Sequence, residues 1–187
     1  MTTIAPGAKT LGPQNGTIQI KSFKEGLLSK MGHDLTIDVK QWGAKLELTS
    51  AEPPAGSVEV DMAANSLTVT GPGDLSDKDK NEIRGNIEKD VLKWAKFPSI
   101  QFKSTGVADV KSSGGKGTAV VKGQLTLCGQ TQPIELHTAF EPSGKGVRVH
   151  GEAPLVQSRW GVKAYKAPLG VIKVKDELKI VWDFIVS

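Results

Sequence analysis

The chain has 187 residues, 38% of them hydrophobic, which is enough for one domain with a sizeable core. Its one cysteine, Cys128, excludes an internal disulfide and a metal site built on cysteines. The formal net charge of +4 comes without any dense run of Lys and Arg, which favours an ordinary solvated surface over nucleic-acid binding.

The first residues contain no apolar segment of signal-peptide length, and Pro6, Gly7 and Pro13 interrupt them. We therefore predict a flexible tail over residues 1–15 and a single domain over 16–187. No stretch of the chain approaches the ~18 consecutive apolar residues of a membrane helix. These features lead us to expect a cytoplasmic protein.

Alternating apolar and polar residues predict short strands before residue 71. The clearest alternation runs from His33 to Lys40, where the apolar residues share one face and acidic and hydroxyl residues share the other. The segment Lys24 to Met31 is predicted to be a connector with a short helical turn. The other predicted strands of this half are Thr17 to Phe23, Ala44 to Leu48, Ser57 to Met62 and Ser66 to Thr70.

One amphipathic α-helix is predicted at about residues 77–95. Ile83, Ile87 and Val91 recur every fourth residue and so line one face. Ser76 is suited to cap the first turn. Pro98 forbids helical geometry at the residue before it, so the chain should pass into a strand there.

Strands joined by tight Gly- and Ser-containing turns are predicted from residue 99 to Val156 and again from Lys175 to Val186, while Gln157 to Lys173 has no clear strand pattern. About eight or nine antiparallel strands, each with one apolar face, favour a barrel, with a sandwich as the alternative. The interior of a barrel of this size is either filled by its own side chains or wide enough for one thin ligand.

Catalytic chemistry has little support in the sequence. The three histidines, His33, His137 and His150, lack the spacing of a metal site. There is no nucleophile elbow and no phosphate-binding glycine loop. We therefore expect no enzyme activity, no metal and no cofactor.

Two polar residues occupy alternate strand positions that should face inward. His33 shares its parity with the apolar residues of its strand, and Arg159 follows the inward series that begins at Val147. Either side chain could contact the polar head group of a ligand. The alternatives are a histidine hydrogen-bonded at the rim of the core and an arginine paired with a carboxylate at the end of the barrel.

The apolar strand faces have two interpretations, a packed core or the wall of a ligand tunnel. The candidate tunnel-lining residues are Leu35, Ile37, Val39, Phe102, Leu125, Phe140, Val149, Trp182 and Phe184.

Five segments of the chain resemble the YceI-like, or polyisoprenoid-binding, family of bacterial proteins. They are Gly32 to Leu35, Phe97 to Thr105, Gly123 to Pro133, Ser158 to Val162 and Val174 to Phe184. The resemblance implies an all-β, eight-stranded antiparallel barrel of lipocalin-like shape with a helix beside it or across one end. It also implies binding of a long isoprenoid chain, such as a polyprenyl lipid or a quinone tail, without established catalytic residues.

The leading hypothesis is therefore a non-enzymatic barrel that sequesters or transports an isoprenoid lipid or quinone-like molecule. The alternative is a stress-related or structural interaction protein whose barrel is filled and binds no lipid. An enzyme that uses His33 or Arg159 ranks third. Transient contact with a membrane surface and formation of a homodimer stay open, and nucleic acid is not expected as a partner.

Overall fold

Strands dominate the fold, as the alternating pattern predicts. The computed structural model describes residues 4–25, 33–51, 53–167, 170 and 172–187. The strands of the first half are β1 Gly7–Leu11, β2 Gly16–Ser22, β3 Lys24–Glu25, β4 Leu35–Val39, β5 Trp42–Ala51, β6 Pro54–Ala63 and β7 Leu67–Gly71. Those of the second half are β8 Ser99–Ser113, β9 Lys116–Leu127, β10 Gln130–Ser143, β11 Gly146–Val156, β12 Lys173–Val174 and β13 Glu177–Val186.

Eleven of the strands form one curled antiparallel sheet in the order β1-β5-β6-β8-β9-β10-β11-β13-β2-β4-β7. The predicted fold class, all-β with one helical segment and a lipocalin-like shape, is confirmed. The number of strands is larger than the eight that we predicted. Within the described ranges, no ladder of hydrogen bonds joins the two edge strands, β1 and β7, so the sheet curls around its core as an incomplete barrel.

The edge strand β1 corrects the prediction of a flexible tail over residues 1–15. Gly7 to Leu11 pair with β5 in register, from Gly7 opposite Leu48 to Leu11 opposite Ala44. Leu11 is buried, so β1 is held by apolar packing as well as by the ladder. The two prolines and the glycine that suggested a tail lie at or beyond the ends of β1 and leave its ladder intact.

Two short strands, β3 and β12, form a separate small sheet. Lys24 pairs with Val174 and Glu25 with Lys173. The first two residues of the predicted connector are therefore extended, because they pair with a segment that is distant in sequence. The remainder of that connector, residues 26–31, lies outside the described residues.

The predicted helix is present and begins where its capping residue predicted. α1 spans Asp77–Asn86, and the Ser76 hydroxyl accepts a hydrogen bond of 3.2 Å from the backbone N–H of Asp79. The helix continues as a wider π-helical segment over Ile87–Leu92 and ends at Lys93, which has a left-handed backbone with φ 51°. We call Asp77–Leu92 the helical segment.

The helical segment packs on the core through its apolar face. Ile83, Ile87 and Leu92 contact a buried cluster that includes Leu67 and Val69 of β7. None of the residues of the helical segment is fully buried, so it covers the core from outside the sheet. No helix in the described part of the chain has both the length and the apolar character needed to cross a membrane.

Candidate ligand-binding cavity

The inward faces of the curled sheet enclose an apolar cavity of about 270 Å3, which we call the lumen. Strands from both halves of the chain contribute its wall, from β1 and β2 through β5 and β6 to β8–β11 and β13. The apolar wall residues include Leu46, Leu48, Val58, Val60, Met62, Phe102, Val121, Leu125, Leu136, Phe140, Val149, Ile180, Trp182 and Phe184. The predicted alternation places these side chains on one face, because successive residues of a strand point to opposite sides.

The lumen extends toward one end of the sheet, which we call the mouth. Its wall reaches Ala51 and Pro54, which flank the turn between β5 and β6, and Gly115, in the turn between β8 and β9. Ser57 and Ser112 lie at the same end and are exposed. A ligand would therefore meet hydroxyl and backbone groups at the mouth and apolar side chains farther inside.

The opposite end of the sheet is closed by Trp160, and we call it the closed end. The Trp160 side chain is 1% exposed, and its indole Nε1 donates a hydrogen bond of 2.8 Å to the backbone oxygen of Leu125. It packs in a cluster with Phe102, Leu125 and Ile134, which also line the lumen. Trp160 thus fills the space directly behind the innermost part of the wall.

A 3-10 turn over Gln157–Trp160 positions this tryptophan. The Asp176 carboxylate accepts hydrogen bonds from the backbone N–H of Ser158, at 2.8 Å, and from the Ser158 hydroxyl. The buried Gln157 amide donates to the backbone oxygen of Lys175 at 3.1 Å. Gly161, with φ 69°, ends the turn in a left-handed conformation that favours glycine.

The helical segment also lies at the closed end. The thiol of Cys128, in the turn after β9, donates to the backbone oxygen of Leu92 at 3.4 Å. The turn before β9 contains Gly115 of the mouth, and a strand of this length spans roughly 36 Å. None of the described wall residues belongs to the helical segment. The resemblance left open a helix beside the barrel or across one end, and the position of the helical segment fits a cover of the closed end.

Burial raises the pKa of the Cys128 thiol, and the nearby charge of Lys93 offsets only part of that effect. A higher pKa means less thiolate at neutral pH, and the thiolate is the nucleophilic form. The arrangement suits a thiol that packs between the β9–β10 turn and the end of the helical segment.

The polar groups inside the lumen are already bonded to the backbone. Ser104 Oγ accepts from the backbone N–H of Val58 at 2.8 Å, and Thr138 Oγ1 donates to the backbone oxygen of Leu136 at 3.2 Å. None of the described wall residues carries a charge. The interior therefore suits an uncharged hydrocarbon chain, because a buried charge would lack a partner there.

Six of the nine predicted tunnel residues line the lumen. They are Phe102, Leu125, Phe140, Val149, Trp182 and Phe184. They come from β8, β9, β10, β11 and β13, which are neighbours in the sheet.

The other three predicted tunnel residues, Leu35, Ile37 and Val39, lie outside the lumen wall. They belong to β4. This strand pairs with β7, the edge strand against which α1 packs. Ile37 and Val39 are buried in the cluster beneath the helical segment, and Leu35 packs against it. They face inward as predicted, but the helical segment fills the space in front of them.

The two predicted head-group residues also lie outside the lumen wall. His33 is exposed. Arg159 is exposed at the closed end, where its guanidinium donates to the backbone oxygen of Pro133 at 3.1 Å and lies 5.3 Å from the Trp160 ring centre. The 3-10 turn interrupts the strand alternation after β11, so Trp160 faces inward where we had placed Arg159.

Sequence reasoning also missed the residues at the mouth and Trp160, the tryptophan at the closed end. Ala51, Pro54 and Ala55 have no apolar alternation, so only the hairpin pairing of β5 with β6 brings them to the wall. A signal for Trp160 was present, since a large apolar residue directly before a glycine fits a turn that closes a core. No three His, Cys, Asp or Glu side chains of the described residues come together as a metal-binding group.

Comparison with known proteins places the chain in a family. The model of the YceI-like domain matches residues 10–185. The chain belongs to the YceI-like family. A UPF0312 protein of Pseudomonas savastanoi pv. phaseolicola is 34% identical over 149 residues, which are 76% of this chain and 71% of the relative.

Two solved structures share the fold at low sequence identity. BcnA of Burkholderia cenocepacia superposes with a TM-score of 0.65 at 19% identity, over 91% of this chain and 96% of that one. A polyisoprenoid binding domain from Saccharophagus degradans, implicated in plant cell wall breakdown, gives a TM-score of 0.62 at 11% identity. That match covers 98% of this chain and 100% of the domain. At these identities the likeness shows the fold alone.

Proposed function

We propose that this YceI-like protein binds one long, uncharged isoprenoid-type chain in the lumen and sequesters or transports it without catalysis. The observation that carries the proposal is the lumen itself, an apolar cavity of about 270 Å3 with no charged residue in its described wall. A polyisoprenoid-binding domain of the same fold supports the choice of ligand class.

The driving force in this proposal is burial of hydrocarbon. Each Å2 of apolar surface removed from water contributes about 25 cal/mol, so a long chain gains affinity without specific polar contacts. Since Ser104 and Thr138 are already hydrogen-bonded to the backbone, the interior selects for apolar character and width. The polar head group of a polyprenyl lipid or quinone would remain at the mouth, near Ser57 and Ser112.

The alternative function, a filled barrel that acts only in protein interactions, has less support because the interior is hollow. Catalysis by His33 or Arg159 has less support because both side chains are exposed and lie outside the lumen wall. A cytoplasmic location, a homodimer and contact with membrane surfaces stay predictions from the sequence.

Lipid extraction tests the proposal. The protein is purified under native conditions without detergent, extracted with organic solvent, and the extract is analysed by mass spectrometry. We expect a reproducible polyprenyl or quinone species in stoichiometric amount, or uptake of added polyprenol or quinone by protein that is purified empty. Clean extracts together with no uptake of either added lipid would contradict the proposal.

A charge introduced into the lumen tests where the lipid lies. Trp182→Arg places a cation in the apolar wall and should abolish uptake, because no described wall residue can pair with it. Val181→Arg is the matched control, since Val181 lies on the opposite face of the same strand. Circular dichroism establishes that both variants fold. Normal uptake by folded Trp182→Arg would show that this strand face does not line the binding site.

A further inference from the structure

Two aromatic side chains of the lumen wall lie against glycines of neighbouring strands. Phe102 of β8 lies against Gly123 of β9, and Trp182 of β13 lies against Gly151 of β11. Both rings line the lumen and both side chains are only 6% exposed. Both glycines occupy inward positions in their strands, so a side chain at either position would point toward the lumen.

The contact at Gly123 is close enough to exclude a side chain. A Cβ atom built on Gly123 would lie 2.4 Å from Cε2 and 2.5 Å from Cζ of Phe102, and 2.7 Å from the backbone oxygen of Lys103. Gly123 pairs with Ser104, and Phe102 pairs with Leu125, so the ring leans diagonally across the ladder onto the bare backbone. Glycine at this position allows the ring to lie directly against the backbone of β9.

The contact at Gly151 repeats this arrangement between β11 and β13. Gly151 pairs directly with Trp182, and a Cβ atom built on it would lie 2.5 Å from Cζ2 and 2.9 Å from Cε2 of the indole. The backbone oxygen of His137 would lie 2.4 Å from the same atom. A methyl group at residue 151 therefore has to displace the indole of Trp182, and the His137 carbonyl of β10 must shift as well.

An added methyl group on either glycine would push the neighbouring ring toward the lumen. The sheet backbone lies behind the glycine and the neighbouring inward side chains lie along the strand, so the free volume in front of the ring is the lumen. Displacement of either ring would narrow the lumen without removing any apolar wall residue.

We propose that Gly123 and Gly151 are specificity-determining residues that set the width of the lumen, and with it the thickness of the hydrocarbon chain that enters. This inference rests on the proposed function for its ligand. It concerns the width of the cavity, which can also be measured without any lipid.

Xenon and an isoprenoid alcohol together test the inference. Crystals of wild type, Gly151→Ala and Gly106→Ala are pressurised with xenon, which binds dry apolar cavities, and uptake of geranylgeraniol is measured in solution. Gly106→Ala is the matched control, because nothing lies within 4 Å of the added Cβ atom. We expect Gly151→Ala to lose xenon occupancy in the lumen and to bind geranylgeraniol about tenfold more weakly, with Gly106→Ala unchanged.

A compensating change separates the ring from the backbone contact. In Gly151→Ala combined with Trp182→Leu, the methyl group still faces the His137 oxygen but no longer meets an indole. We expect this double variant to regain xenon and geranylgeraniol binding. Failure of the double variant to regain either would assign the effect to the backbone and overturn the inference.

The two proposals fail in different ways. A wild-type lumen that takes up xenon but neither geranylgeraniol nor quinone would contradict the proposed function and leave the glycine inference intact. If folded Gly151→Ala binds xenon and geranylgeraniol as the wild type does, the glycine inference alone is overturned.

If Gly151→Ala does not fold, Trp182→Phe provides the test, since a smaller ring over Gly151 should increase xenon occupancy. Unchanged occupancy would then overturn the inference.

Discussion

At the scale of single residues, alternation along the strands separates the lumen from the charged surface. In β13, Trp182 and Phe184 face the lumen, while Asp183 between them receives two hydrogen bonds, of 2.9 and 2.6 Å, from the guanidinium of Arg148. These bonds hold the pKa of the Asp183 carboxyl below its usual value. This pair on the outer face is thus partnered across strands, and no described residue of the lumen wall carries a charge.

Asp38 on the outer face of β4 is the clearest case of a charge that stabilises the sheet. Burial alone would raise its pKa, but hydrogen bonds from Lys40, Gln19 and Thr70, at 2.6, 2.8 and 3.1 Å, outweigh it and hold the pKa below its usual value. A carboxylate whose pKa is lower in the folded than in the unfolded state stabilises the fold above the unfolded pKa. That stabilisation is lost as the pH falls through the folded pKa.

We therefore expect Asp38→Asn to lower the free energy of unfolding by about 1 kcal/mol at neutral pH. The difference from wild type should begin to shrink as the pH falls below about 4, where the unfolded-state carboxyl is protonated, and should be lost as the pH falls through the lowered pKa of folded Asp38. Urea unfolding at a series of pH values measures this difference, with Asp74→Asn at an exposed position as the control. A difference that stays constant from neutral to acidic pH would contradict the assignment.

Residue-level prediction from sequence succeeded where a strand stays regular and failed where it ends. The parity of β10, β11 and β13 correctly placed Phe140, Val149 and Trp182 on one wall. The same parity count failed at Arg159, because the 3-10 turn after β11 rotates successive side chains by a different angle from that of a strand. The glycine–ring contacts depend on the register between strands, and the sequence does not contain that register.

At the scale of elements, the helical segment and the turn carrying Trp160 both close the end of the sheet opposite the mouth. Val91 and Leu92 of the helical segment contact the cluster that contains Trp160, so the two elements share one apolar layer. Amphipathic spacing predicted the apolar face of the helix correctly, and Ser76 marked its start. The sequence could not show which end the helix covers, because that depends on the curl of the whole sheet.

The position of the helical segment predicts that it affects stability and not ligand entry. Ile87 is half-buried against the core, so Ile87→Ala should lower the free energy of unfolding by about 2 kcal/mol. Association and dissociation rates of geranylgeraniol, measured by stopped flow, should stay within about twofold of wild type, because the chain enters at the mouth.

Lys89→Ala, at an exposed position of the same segment, serves as the control for that experiment. A large acceleration of both rates in Ile87→Ala, with Lys89→Ala unchanged, would identify the helical segment as a lid over the entrance and contradict its assignment to the closed end.

The strand predictions were wrong where tertiary pairing outweighs local signals. The glycine and prolines near β1 suggested a tail, yet its ladder with β5 orders the strand. β4 was predicted correctly as a strand, but its place between β2 and β7 puts its apolar residues under the helical segment. Both outcomes depend on partners that are distant in the chain, which alternation alone does not identify.

At the scale of the whole molecule, the fold combines a packed half and a hollow half. The packed half contains the helical segment, β4, β7 and the buried tryptophans Trp94 and Trp160. The hollow half is bounded by the long hairpins of β5–β6 and β8–β11. The sequence alone left a filled barrel and a hollow one equally open, since both present the same apolar face on each strand.

Ligand binding should stabilise the whole molecule. A ligand that binds only the folded state adds about 2.7 kcal/mol at a free concentration one hundred times its Kd. For a domain of this size, that corresponds to a rise in Tm of about 5–10 °C. Differential scanning calorimetry with geranylgeraniol measures the rise, and folded Trp182→Arg should show none. An equal rise in both proteins would indicate binding outside the lumen.

The most direct test of a lipid-binding lumen is the position of a bound chain. Crystals are grown with a polyprenyl alcohol that carries bromine at its apolar end, and the anomalous signal of bromine locates that end. We expect the bromine inside the lumen among Phe102, Leu125 and Ile180, with the hydroxyl at the mouth near Ser57. An empty lumen with bromine only on the outer surface would contradict the account.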